Sequence, residues 1–68
     1  MHSQELIVII KARREMLNVT QEQLSDLSGV GLRTLKQFES GKGNPTLETL
    51  QKIGDVLGLK LTFQVKEL

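Results

Sequence analysis

Two short amphipathic stretches separated only by Gly29-Val30-Gly31 constrain this chain more than any other feature. Three residues leave no room for a wandering loop, so the second stretch must turn sharply out of the first. The first opens at Thr20, whose hydroxyl can accept from the amide of Gln23 while the Gln23 side chain reaches back, forming a capping box. Leu24 and Leu27 form its inward face, and Gly29 ends it at a position that tolerates positive φ. The second stretch runs from Leu32 to about Ser40 and turns Leu35 and Phe38 inward. A turn–loop sequence, Gly41-Lys42-Gly43-Asn44-Pro45, follows.

The flanking segments complete a small helical body. Helix one is expected from about Gln4 to Leu17 with Ser3 as cap, because Leu6, Ile9, Ile10, Arg13 or Arg14, and Leu17 recur at helical spacing. The β-branched run Ile7-Val8-Ile9-Ile10 would also suit a strand, and Ile7 and Val8 widen the stripe beyond the needs of one small core. Asn18 is the stop. Helix four is capped by Thr46, carries Leu47, Leu50, Ile53 and Leu57 as its stripe, and ends at Gly58. Gly54 inside it costs about 1 kcal/mol relative to alanine, which points to close packing against a neighbouring helix.

From Leu59 the period changes. Leu59, Leu61, Phe63 and Val65 alternate with Lys60, Thr62, Gln64 and Lys66, as in a half-buried strand. A lone strand has unpaired backbone groups on both edges, so pairing with the same strand of a second copy is the simplest outcome, its apolar face lying on Ile7 and Val8. The expectation is a mainly α fold of four helices with a C-terminal β-strand pairing across a homodimer. Residues 1–58 form the helical domain and 59–68 the dimerisation strand.

Sixty-eight residues without cysteine exclude disulfide and cysteine–metal scaffolds and suit a reducing, cytoplasmic setting. The longest apolar run, Leu6 to Ile10, falls far short of the ~20 residues of a membrane span. Only two residues are aromatic, both phenylalanine, which argues against single-strand binding by base stacking. The net charge of +1 says little until it is located. From Val30 to Leu47 there are three basic side chains, Arg33, Lys36 and Lys42, against one acidic, Glu39, a balance of +2 against −1 for the remainder.

The two stretches and their turn make a helix-turn-helix. With Leu35 and Phe38 buried, the outward face of the second helix carries Leu32, Arg33, Lys36 and Gln37, which would enter a major groove ~12 Å wide. Arginine forks onto guanine and glutamine onto adenine. Lys36 and Lys42 suit phosphates, as do Thr20 and Gln21 at a helix N-terminus. A plain solvated face accounts for the same residues about equally well.

The run from Thr20-Gln21 through Leu24, Gly29-Val30, Thr34, Glu39, Gly41-Lys42, Pro45, Leu47, Thr49-Leu50 and Ile53 to Leu57-Gly58 resembles the Cro/CI-type (XRE) helix-turn-helix family, over roughly Leu6 to Leu59. The resemblance implies a lambda-repressor-like domain in which Gln21 touches phosphate and braces the recognition helix. It also implies that Leu32, Arg33 and Gln37 face base edges and that Ser40 and Lys42 grip the backbone. Arg14 and Glu39 match a pair that joins helix one to the end of helix three. The chain departs from the family at Gly31, where serine or threonine is usual, and at Leu32, often a polar reader. The terminal strand resembles that of the Hip-type antitoxins, which implies an autorepressor with a kinase-like toxin as a possible partner.

Catalytic chemistry finds no candidate residues. His2, the sole histidine, stands at a terminus, and Gly41-Lys42-Gly43 lacks the preceding strand and spacing of a phosphate loop. Glu5, Glu15, Glu22 and Asp26 fit solvated helix surfaces. No nucleophile–base–orienter set is visible, and neither metal nor cofactor is expected. Two functions from different classes remain: a dimeric repressor reading palindromic duplex DNA, and a protein-interaction module that mainly neutralises a toxin. A stand-alone dimerisation domain is a third.

Overall fold

The computed structural model describes residues 3–66, which form four helices: α1 (Ser3–Met16), α2 (Gln21–Ser28), α3 (Leu32–Glu39) and α4 (Leu47–Leu57). Each boundary has a local cause. Asn18 takes a left-handed conformation (φ 58°), and the Val19 amide donates back to the Arg14 carbonyl at 3.0 Å, closing α1. The capping box of α2 is complete: Gln23 N–H donates to Thr20 Oγ1 at 3.0 Å, and Thr20 N–H donates to Gln23 Oε1 at 2.9 Å. Gly29 follows at φ 78°. At the end of α3 the Lys42 amide donates to Gln37 O at 2.8 Å and the Gly41 amide to Phe38 O at 3.1 Å, a Schellman motif around left-handed Gly41. Thr46 caps α4 by accepting from the Thr49 amide, and left-handed Gly58 ends it.

Both α3 and α4 pack against α1 and α2. Leu24, Leu35, Ile53 and Leu57 are fully buried at the centre, with Ile10, Val30, Phe38 and Leu50 around them. Leu6 and Ile7 are half-buried against this core, so the Ile7–Ile10 run is helical, not extended. Val8, Ile9 and Leu17 are exposed, because one helix face suffices to cover so small a core.

Four expectations need correction. Leu27, read as inward, is 67% exposed. It lies about 60° around the helix from Leu24, and the cover over that face ends between them. Leu47 is also exposed, one turn ahead of Leu50, the first buried residue of α4. Gly54 is buried, yet its close neighbour is the chain returning after α4, not another helix. A Cβ there would stand 3.0 Å from the Leu59 carbonyl oxygen, while the Leu59 amide donates to Gly54 O at 2.8 Å.

The fourth concerns the tail. The strand expected over 59–68 is not found among the described residues, 59–66, which have no regular secondary structure. A strand exists only through ladder bonds to a neighbour, and no other described segment of the chain is a strand. Leu59 and Leu61 pack half-buried on the core of their own domain, whereas Phe63 is 87% and Val65 96% exposed. The alternating stripe thus divides into an anchored half and a bare half. His2 lies outside the described residues.

Gly54→Ala should lower stability despite alanine's better helix propensity. The Leu59 peptide that must yield is held by its own bond to Gly54 O. The expected loss is about 1 kcal/mol or more in urea denaturation, within the range for overpacked sites. Gly31→Ser, at a negative-φ cap where a Cβ meets only Thr34 Oγ1 at an ordinary 3.9 Å, should raise stability by about 0.5 kcal/mol. A gain from the first substitution would contradict the packing account.

Candidate nucleic-acid interface

The turn between α2 and α3 is fixed by three elements. Val30 is buried in the core, Ser25 Oγ donates to its carbonyl at 2.6 Å, and its amide donates to Ser28 Oγ at 3.1 Å. These two serines carry no recognisable motif, and only the fold reveals their task. Gly31 begins α3 without a side-chain cap.

Orientation of the other end of α3 rests on Glu39. Arg14 of α1 forks onto it, Nε donating to Oε2 and a terminal nitrogen to Oε1, both at 2.8 Å. The other terminal nitrogen of Arg14 donates to the Val19 carbonyl at 2.8 Å, and Gln21 Nε2 of α2 donates to Glu39 Oε1 at 3.2 Å. The Arg14 and Glu39 side chains are 12% and 4% exposed. Hydrogen bonding to Glu39, more than its charge alone, raises the Arg14 pKa above its ordinary value against the opposing effect of burial. A raised cationic pKa contributes stability that is present at neutral pH and fades only at extreme alkalinity. Four helices meet in this way: a second α1 arginine, Arg13, donates from Nε to the Leu57 carbonyl at 2.9 Å, closing the last turn of α4.

Outward, α3 presents Arg33, Thr34, Lys36 and Gln37 exposed and Leu32 half-buried. Arg33 and Gln37 are four residues apart, about 40° around the axis, and form the crest of this arc. Lys36 lies on the edge towards α1 and α2, beside Gln21 and Arg14. Thr34 and Gln37 border the loop with Lys42, Gly43 and Asn44 on the other side. Thr34 is not among the expected contact residues, because it lies only about 40° around the axis from buried Phe38 and periodicity alone does not mark it as open.

The expected backbone-gripping residues differ in their readiness. Gln21 is already engaged as the brace of Glu39. Thr20 Oγ1 accepts from the Gln23 amide and keeps its own hydrogen free to donate. Ser40 Oγ donates inward to Gln37 O at 2.9 Å, so it must rotate before donating to anything outside. Lys42 is exposed in the loop. Among the described residues no three His, Cys, Asp or Glu side chains gather as a metal-binding group, and no helix is long and apolar enough to cross a membrane.

Glu39→Ala should remove about 2 kcal/mol of stability in urea denaturation, because it leaves a part-buried guanidinium without its hydrogen-bonded partner. Replacing both Arg14 and Glu39 by apolar residues of similar size should cost less than either single change. A loss below about 1 kcal/mol for Glu39→Ala would put the pair among ordinary surface contacts.

A family model described as helix-turn-helix matches residues 10–64. The transcriptional repressor RstR of the cryptic phage CTXphi from Vibrio cholerae is 43% identical over 49 residues, which cover 72% of this chain and 44% of that protein. An HTH-type transcriptional regulator of Haemophilus influenzae is 40% identical over 58 residues, covering 85% of this chain and 59% of its own. One from Methanocaldococcus jannaschii is 36% identical over 52 residues, 76% of this chain and 79% of the relative. The chain spans about half the length of the first two. The four helices, the three-residue turn and the sequence match together establish that the chain belongs to the XRE-type helix-turn-helix family.

Proposed function

We propose that the chain is a sequence-specific repressor that binds double-stranded DNA and reads a palindromic operator as a homodimer in the cytoplasm. The carrying observation is the exposed crest of Arg33 and Gln37 on a helix whose far end is pinned by the part-buried Arg14–Glu39 pair. A helix eight residues long has little stability of its own. Held at both ends, it delivers planar donors in a constant direction, as major-groove reading requires. In this reading Arg33 takes a guanine edge, Gln37 an adenine edge, and Leu32 offers only apolar contact, for instance to a thymine methyl. Lys36 borders the same arc. Thr20, Gln21, Ser40 and Lys42 serve the backbone. Relatives named as a transcriptional repressor and as transcriptional regulators support the reading. No catalytic step, metal or cofactor is part of it.

The dimer rests on the tail, where Phe63 and Val65 are bare and alternate with polar residues. Exposed apolar side chains at strand spacing suit pairing with the same segment of a second copy, under two-fold symmetry. With recognition helices ~34 Å apart, such a dimer meets two half-sites on one face of the duplex. An antitoxin that represses its own operon and binds a kinase-like toxin is the narrower form of this proposal. The tail pattern Leu59 to Val65 is what favours it.

Arg33→Ala and Gln37→Ala should each cost about 1–3 kcal/mol and relax preference at one base position in a binding selection from random duplexes. Lys42→Ala should weaken all sequences alike. Base preference unaltered by both crest substitutions would refute their assignment as readers. Phe63→Ser combined with Val65→Ser leaves the core untouched and should convert dimers to monomers in sedimentation equilibrium. Dimers that persist would refute the tail interface.

A further inference from the structure

Five residues from three helices, Lys11, Arg14, Gln21, Lys36 and Glu39, together with Ser40 at the end of α3, line one open hollow beside the crest of α3. Its electrostatics are lopsided. Both oxygens of Glu39 are occupied by Arg14, and one of them also by Gln21. The Arg14 charge is thereby matched inside the wall. Lys11 and Lys36 are exposed, and neither takes part in an ion pair among the described residues. Two ammonium groups outside any ion pair therefore flank a hollow whose hydrogen-bonded wall is neutral overall, with Glu15 and Glu22 near enough to act on Arg14 by charge. Lys11 precedes Arg14 by three residues, so the two share a face of α1. Arginine on that face binds inward, and lysine one turn earlier stands at the rim.

We propose that Lys11 of α1 and Lys36 of α3 together hold one phosphodiester of the DNA backbone against this hollow. This rests on the DNA-binding reading above and extends it to a helix outside the helix-turn-helix. It also separates Lys36 from the base readers. Around the α3 axis Lys36 sits about 60° from Arg33 and about 100° from Gln37, turned towards α1 and away from the crest. With Arg33 and Gln37 in the groove, the bordering phosphates lie to the sides, where Lys36 points. Lysine suits this task as a mobile point charge that needs no planar match. The consequence is mechanical: a strand held between α1 and α3 fixes the yaw of the recognition helix, and Lys42 does the same on the loop side.

The test is the salt dependence of binding by the full chain to its selected duplex, followed by fluorescence anisotropy. Lys11→Ala and Lys36→Ala should each lower the slope of log K against log salt by about half a unit, and the double variant by about one in all, the single changes weakening binding roughly three- to tenfold with base preference and thermal melt unchanged. Lys11→Arg should restore the slope. Lys52→Ala, on α4 and paired with Glu48, should match the wild type. Replacing the single contacted phosphate by an uncharged methylphosphonate should erase the difference between wild type and Lys11→Ala. A Lys11→Ala slope equal to that of the wild type would overturn the proposal and leave DNA binding standing. Altered base preference in Lys36→Ala with an unchanged slope would overturn it too, returning Lys36 to the readers. If the wild type selected no duplex at all, the DNA-binding reading itself would fail.

Discussion

One carboxylate organises this molecule. Glu39, at the last residue of α3, takes two hydrogen bonds from Arg14 of α1 and one from Gln21 of α2. Arg14 also donates to the carbonyl of Val19, the residue after the α1 stop. The direction of α3, the angle between α1 and α2, and the start of α2 are therefore coupled through a single part-buried group. An apolar core alone does not impose such directionality, since eight buried aliphatic and aromatic side chains pack acceptably over a range of helix angles. A forked ion pair with satisfied partners accepts only a narrow range. We attribute the unique orientation of α3 to this pair and its stability mainly to burial of Leu35 and Phe38.

The elements that were legible from sequence are those with short-range causes. Thr20 with Gln23, Gly29, Thr46 and Gly58 act through bonds to residues within a turn or two, and all four behave as read. Arg14 and Glu39, twenty-five positions apart, could be matched only through family resemblance, because no local rule links them. Leu27 and Leu47 misled because periodicity gives a face but not the extent of what covers it. A glycine inside a helical stripe, Gly54, signals a close approach but not what approaches. Its partner, the Leu59 peptide, depends on a chain reversal that a helical stripe does not encode. Ser25, Ser28 and Arg13 have clear tasks in the fold and no signature in the chain.

The tail shows how one pattern can serve two ends. Alternation over Leu59 to Val65 reads as a single strand face, yet Leu59 and Leu61 close the bottom of their own core while Phe63 and Val65 face solvent. An anchored first half limits where the second half can reach, which narrows the geometry of any pairing with another chain. Burial within the domain and pairing between domains need not compete, because they use different residues of the same run.

The central claim is that α3, and not another face, meets the duplex. Amide chemical-shift mapping of the labelled chain during titration with its selected duplex tests it most directly. The account predicts that Leu32 to Gln37 and Gln21 shift most, while the exposed side of α4, at Glu48, Gln51, Lys52 and Asp55, stays still. Shifts centred on α4 with α3 unmoved would contradict it.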